Sequence, residues 1–315
     1  MTPDNRARYR GPGHVESWFV RCNHPTRPLA LWLKTTILAP AQGQAVAEAW
    51  LVAFDGEAGT HHAWRDTVPL SQASFETDAS TGDFHLGEGG ARGRVGPARV
   101  DLAFQGKMAP LCIFPTRAFI DGSFPKSKLL TPVPWLAASG TLELPGLRWE
   151  IDGWDGMQGH NWGREHAPEY AWGQCVFPGE PPAMVEGFTG RTRLGGLVSP
   201  RLSAMVVRVG EREYRFDRIF DPWRQEATIT ARRWTLRLRG KDGEARLRMD
   251  ALDRPIACLG YRNPDGHLSH CFNSKLAEVL LELRLRDGQE LRWQSPHGGA
   301  LEFLRPEPEP GLPVT

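Results

Sequence analysis

The sequence predicts an all-β protein made of antiparallel meanders joined by short connecting helices. Three observations predict it. Apolar and charged residues alternate with period two around Asp-Gly turns in the C-terminal third. Gly (34) and Pro (26) are abundant, which implies many turns and many short strands. No segment carries a long, capped 3.6-residue periodicity.

From the N-terminus, residues 17–21 (Ser-Trp-Phe-Val-Arg) and 30–38 are the first strand candidates. In a third, Val46, Glu48, Trp50, Val52 and Phe54 share one face and Ala45, Ala47, Leu51 and Ala53 the other, although the alanines also suit a helix. Residues 75–76, 83–86 and 98–104 continue the series, and Leu142, Leu144, Trp149 and Ile151 close it. Further on, Val209 and Tyr214 flank a turn at Gly210-Glu211. Trp234, Leu236 and Leu238 alternate with Thr235, Arg237 and Arg239, turn at Lys241-Asp242-Gly243, and return as Ala245, Leu247 and Met249. Leu281, Leu283 and Leu285 repeat the pattern before Asp287-Gly288. Apolar alternation around Asp-Gly is a strong hairpin signal.

A chain of 315 residues, 40% hydrophobic and 24% charged, is globular in composition and long enough for two domains. Pro and Gly cluster between Cys175 and Pro200, so the expected division is 1–185, 186–305 and a disordered Pro-rich tail, 306–315. The net charge of +1 supplies no global field to attract nucleic acid, and no nucleic-acid partner is expected. Five Cys without CxxC spacing argue for a reducing compartment. The N-terminal residues lack a signal-peptide core and no stretch is long enough to span a bilayer. A cytoplasmic location without stable membrane insertion is therefore expected, peripheral lipid contact remaining open.

The segment from Asp152 to Cys175 stands apart. It packs Gly153, Gly156, Gly159, Gly163 and Gly173 among Trp154, Trp162 and Trp172, with His160, His166, Asp152, Asp155, Gln158, Asn161 and Glu165 between them. This composition is poor material for strand or helix. Each residue has an ordinary reading: His160 as a satisfied core histidine, Asn161 and Asp155-Gly156 as turn formers, the tryptophans as core. Their density favours a pocket, because burying so many unpaired polar groups is costly. Asp155, His160 and Glu165 are the candidate acid–base residues. Trp154, Gln158, Asn161, Trp162 and Trp172 are the candidate substrate contacts.

The run Gly159-His160-Asn161-Trp162-Gly163, followed by Trp172-Gly173, resembles the motif of the double-lipocalin superfamily. That group comprises AttH-type proteins, carotenoid 1,2-hydratases, tocopherol cyclases and fungal Diels–Alderases. Glu16-Ser17-Trp18-Phe19 leading to Ala30-Leu31-Trp32-Leu33-Lys34 is also similar, as is Asn263-Pro264-Asp265-Gly266 leading to Cys271–Ala277. The resemblance implies two lipocalin-like β-barrels in tandem, with a site in or between them. The hydratases carry Asp at the position of Gly159, so an acid role falls on Asp155, Glu165 or another group.

The function this supports is cofactor-independent acid–base catalysis, of hydratase, cyclase or isomerase type, on an apolar isoprenoid or polyene-like molecule. A carboxylic acid or protonated His supplies the proton, and indole faces stabilise a cation by up to about 2 kcal/mol each. The alternative is a non-catalytic carrier of lipid or pigment, since barrels enclose apolar ligands without chemistry. A third reading makes the central segment a plug joining two barrels. No metal is expected: His267, His270 and Cys271 lack tetrahedral spacing. Lys275 is read as a strand-edge or turn residue and His61-His62 as a polar loop. No phosphate-binding loop or Gly-x-Ser-x-Gly elbow occurs.

Overall fold

The computed structural model describes residues 5–309 and 311–315. Strand accounts for 63% of the chain and helix for 3%, so the all-β expectation holds. The first sheet has eleven strands. On one side lie β1 (His14–Asn23), β2 (Leu29–Ala39), β3 (Val46–Asp55) and β4 (Thr60–Pro69). On the other lie β5 (Ala73–Ser74), β6 (Ala79–Thr81), β7 (Phe84–Gly87), β8 (Gly90–Val95), β9 (Ala98–Gly106) and β10 (Ser127–Leu144). The last strand, β11 (Leu147–Gly163), joins the two runs by pairing with β1 and β10. A short helix, α1 (Ala118–Asp121), lies in the β9–β10 connection.

The second sheet follows the same rule, its last strand pairing with its first. It begins with β12 (Tyr170–Phe177) and β13 (Ala183–Gly190), then a small separate hairpin, β14 (Arg193–Leu194) and β15 (Leu197–Val198). Next come β16 (Leu202–Val209), β17 (Arg212–Phe216), β18 (Gln225–Ile229), β19 (Arg233–Arg239), β20 (Gly243–Asp250) and β21 (Ala257–Arg262). The long strands β22 (Leu268–Leu285) and β23 (Glu290–Arg305) complete it, β23 lying beside β12. One sheet nearly closes into a barrel and the other is a half-barrel. In the first, Thr35 and Thr81 hydroxyls meet at 2.7 Å, and the Asp66 carboxylate accepts from the Gly96 N–H at 2.8 Å, drawing distant strands together. The sheets change over between Gly163 and Tyr170; residue 186 lies within β13.

Side-chain alternation builds three apolar layers. In β2, Leu29, Leu31 and Leu33 fill the first sheet's interior, while Ala30 and Trp32 face the second sheet. In β3, Ala49, Leu51 and Ala53 point inward and Trp50, Val52 and Phe54 outward. The second sheet has its own core around Trp234, Leu236, Met249 and Phe272. Each large side chain removed from water contributes about 1.5–3 kcal/mol, so the layer between the sheets holds them as firmly as a core. A polar clamp crosses that layer. Arg21, fully buried, donates to Asn23 Oδ1 (2.7 Å), the Gly298 carbonyl (3.2 Å) and Gln174 Oε1. Asn23 in turn donates to the carbonyls of Lys275 (2.5 Å) and His297 (3.0 Å).

Two expectations change. The segment after Asp152 is not irregular: most of it is the second half of β11 and all of β12. Gly156, Gly159, Gly163 and Gly173 serve close strand packing, whereas Gly153 takes a left-handed φ of 61° with open space around it. A Cβ at Gly156 would sit 2.3 Å from the Arg21 carbonyl oxygen. His61 and His62 lie in strand β4, not a loop. Thr315 N–H donates to the Cys258 carbonyl and its carbonyl accepts from the Gly260 N–H, each at 2.9 Å, so Thr315 lies along the edge of β21. No helix among the described residues is long and apolar enough to cross a membrane.

Candidate functional site

Toward one end, the layer between the sheets opens into a cavity whose empty volume, open solvent included, is about 1340 Å³. Aromatic side chains form much of its wall: Phe114 and Phe119 from the α1 connection, Trp162 from β11, Trp172 from β12 and Phe188 from β13. Its floor is charged and polar. Lys34, Tyr170, Tyr261, His166 and Glu302 all border it. Such a combination, apolar walls with a few convergent polar groups, is the usual form of a small-molecule site.

Each floor residue has a definite setting. Glu302 accepts from Lys275 Nζ at 2.6 Å and from Asn273 Nδ2 at 3.3 Å, and the Tyr170 hydroxyl donates to it at 3.5 Å. Lys275 is therefore neither a strand-edge nor a turn residue. It is fully buried in β22, with the Trp32 and Trp172 rings within 5.8 Å of its ammonium. Lys34 Nζ sits 3.7 Å from the centre of the Tyr261 ring. Burial pushes both lysines below their ordinary range and both tyrosine hydroxyls well above theirs. His166 stacks on Tyr261 with ring centres 5.3 Å apart, its Nδ1 3.1 Å from Asn263 Oδ1. Burial, reinforced by the Lys34 charge, drives its imidazole down to about 3.

The residues singled out in the sequence do not all meet at the cavity. Asn161, Trp162, Glu165 and Trp172 border the cavity. Glu165, at the mouth, pairs with Lys126 (3.2 Å) and Arg193 (3.6 Å). Trp172 also donates its indole N–H to Glu186 at 3.1 Å. Trp154 belongs to the first sheet's core, and Gln158 donates to the Gly87 carbonyl at 2.9 Å. Asp155 lies outside the cavity, accepting from Trp135 Nε1 at 2.6 Å and pairing with Lys107 at 3.2 Å.

His160 is completely buried behind the cavity wall, stacked on Trp18 with ring centres 4.6 Å apart. Its Nε2 lies 2.8 Å from Glu16, which does border the cavity. Burial alone would raise the Glu16 carboxyl, but hydrogen bonds from His14 and His160 outweigh it and hold the group below its usual range. Burial depresses His160 as well. The pair is thus a carboxylate accepting from a neutral imidazole, leaving His160 Nδ1 with no partner.

Gly159 is explained by its neighbour. Phe19 lies directly across the β1–β11 pair, and a Cβ at Gly159 would be 2.2 Å from its ring. That ring, edge-on to Trp172 at 5.7 Å, fills the space where an acid would stand. Gly159→Asp is expected to cost about 3 kcal/mol, from overpacking and an unpaired buried carboxylate. Phe19→Ala in the same chain should recover part of that. Denaturant midpoints measure both; wild-type stability in the single variant would show that the ring yields freely.

The three polar residues near Cys271 diverge: His267 turns to Asp265 (2.5 Å), His270 to the Pro306 carbonyl (2.9 Å), and Cys271 to Glu302 (3.8 Å). Among the described residues no group of three or more His, Cys, Asp or Glu side chains is placed to hold a metal. Sequence reasoning missed Lys34, Lys275 and Glu302 as a group. The available signal was a single charge inside an otherwise apolar strand, as in Leu-Trp-Leu-Lys34-Thr and Leu-Glu302-Phe-Leu, which buried packing rarely tolerates without a purpose.

No protein-family profile matches the chain. Two uncharacterized proteins of Mycobacterium tuberculosis, MT0513 (strain CDC 1551 / Oshkosh) and Rv0493c (strain ATCC 25618 / H37Rv), are each 23% identical over 278 residues, 88% of this chain and 83% of theirs. Among solved structures, NE1406 of Nitrosomonas europaea, provisionally assigned as an AttH, aligns with a TM-score of 0.61 at 14% identity, covering 97% of this chain and 96% of its own. Kievitone hydratase from Nectria haematococca gives 0.58 at 10% identity, covering 97% and 92%. CghA, solved with Sch210972, gives 0.52 at 13% identity, covering 93% and 88%. The fold is that of the AttH-type double-lipocalin group, as the sequence motif implied.

Proposed function

We propose that the protein is an enzyme that converts an apolar small molecule by proton transfer, without a cofactor, in the cavity between its two sheets. Hydration or its reverse, cyclisation and isomerisation all fit this description. One observation carries the reading: an aromatic-walled cavity ends on a hydrogen-bonded acid–base group, Tyr170–Glu302–Lys275. A plain carrier has no need to bury an ion pair beneath its ligand, since desolvating the charges is costly. One relative in fold is named a hydratase, which supports the reaction class.

In this reading Glu302 moves the proton. Lys275 and Asn273 fix its orientation, and the Tyr170 hydroxyl bridges it to the cavity. Trp162, Trp172 and Asn161 contact the substrate, and Glu165 stands at the entrance with Lys126 and Arg193. His160 acts through Glu16 as a positioning residue, since a buried imidazole behind a carboxylate has no path to the substrate. Asp155 takes no part, its carboxylate being engaged outside the cavity.

Incubating the protein with a small-molecule extract and following masses tests this. A species altered by the mass of water, or converted to an isomer, is the expected result. Tyr170→Phe and Glu302→Gln should slow that conversion by about 10²–10⁴-fold, the usual weight of a proton-transferring group. A species that co-purifies unchanged, with no turnover, would make the protein a carrier.

A further inference from the structure

We infer that Lys34, together with the indole N–H of Trp32, forms a site for a negatively polarised oxygen, so that the substrate is an apolar molecule ending in a carbonyl or an acidic hydroxyl. The inference rests on the catalytic cavity proposed above and names the chemistry of what enters it.

Lys34 is 5% exposed, and among the described residues its ammonium has no hydrogen bond or ion pair. Three aromatic faces lie against it: Tyr261 at 3.7 Å, Trp32 at 5.8 Å and Trp50 at 6.0 Å. Cation–π contact offsets part of the desolvation and leaves the hydrogen-bonding capacity unused. Trp32, two residues earlier on the same face of β2, is 1% exposed and its Nε1 also lacks an acceptor. Both side chains border the cavity. Two buried donors without acceptors beside one cavity point to an acceptor that arrives with the ligand.

The charges nearby support the same sign. Glu302 is held by Lys275 at 2.6 Å, and Glu48, the other carboxylate acting on Lys34, is kept toward its neutral form by burial while facing Arg65. Lys34, unlike Lys275, thus offers its ammonium to the cavity with no carboxylate among the described residues in hydrogen-bond contact. A cation so placed opposes a carbocation and favours an enolate or phenolate oxygen. Indole walls alone suggested cation stabilisation; Lys34 reverses that. In the addition of water to a conjugated carbonyl, the water oxygen would bond to the β-carbon, its proton passing to Glu302, and the Cα=Cβ π electrons would shift into the bond between the α-carbon and the carbonyl carbon. The carbonyl π electrons would move onto the oxygen held by Lys34 and Trp32, and a proton delivered at the α-carbon would return the carbonyl.

A titratable probe distinguishes the outcomes. 7-Hydroxycoumarin changes absorbance and fluorescence on ionising, and 7-methoxycoumarin cannot ionise. Both are expected to bind the wild-type protein. The bound hydroxycoumarin should ionise about one pH unit below its free value, equivalent to about tenfold tighter binding of the phenolate. Lys34→Met should move ionisation above the free value, because an apolar cavity without the cation disfavours the anion, while methoxycoumarin still binds. Lys34→Arg should keep the downward shift, and guards against a folding defect in the methionine variant. An upward or absent shift in the wild type, or an equal downward shift in Lys34→Met, overturns the assignment while leaving the cavity intact. Binding of neither coumarin would overturn the cavity reading and the inference with it.

Discussion

Lowering the pH from 7.5 to 4 should destabilise the wild-type protein through His166, and His166→Gln should abolish that component. An unfolded chain takes up a proton on this imidazole near 6.5, the folded protein only near 3. Between those values the unfolded state holds more protons, so stability rises with pH. The contribution is complete above 6.5 and is lost as pH falls toward 3, to a total of at most about 5 kcal/mol. His166 is half-buried and opens onto the cavity, so water there lessens the penalty and an apolar ligand restores it. Denaturant unfolding across this range, with and without ligand, measures it. Equal pH dependence in wild type and variant would mean that the imidazole is solvated.

Glu186 should produce the opposite slope. Its carboxyl is fully buried between Thr131 (2.7 and 2.9 Å) and the Trp172 indole N–H (3.1 Å). Burial raises it from 4.5 to about 7, against these hydrogen bonds. Between those values the folded state holds the extra proton. Stability is therefore complete below 4.5 and falls as pH rises through 7, by about 3 kcal/mol. Glu186→Gln keeps an acceptor for Trp172 and cannot ionise, so it should match wild type near pH 4.5 and exceed it by that amount at pH 8. From 4.5 to 6.5 the two effects oppose each other, and the wild-type curve should be nearly flat there for these groups. Each single variant would expose the other's slope. A Glu186→Gln protein no more stable than wild type at pH 8 would mean that the carboxylate is ionised at little cost.

The fold was legible where one strand face meets water. In β19 and β20, Trp234, Leu236 and Leu238 are buried and Arg233 and Arg239 exposed, so period two survives in the sequence. In β2 every residue is buried, because one face fills the first sheet and the other packs against the second. Two-sided burial erases the alternation, which is why the N-terminal strands read less cleanly. The centre of the chain misled for a related reason. Glycines at 156 and 159 look like turn residues until Arg21 and Phe19 are placed against them. The motif lies beside the cavity, yet the pleat sends His160 and Asn161 to opposite sides, and the sequence alone carries no sign of which side holds the cavity. The lysines and Glu302 come together only across the sheet pairing, from positions 34, 275 and 302.

That convergence bears on how such a protein changes over time. Lys34 and Trp32 come from the first sheet, Tyr261 and Glu302 from the second, and His166 from the link between them. Neither half holds all of these groups. Their mutual placement depends on how the two sheets meet. Substitutions in the apolar layer around Phe54 and Leu259 can re-aim one set of groups against the other. Lineages with this architecture can therefore reshape the cavity by shifting a seam while both frameworks stay as they were.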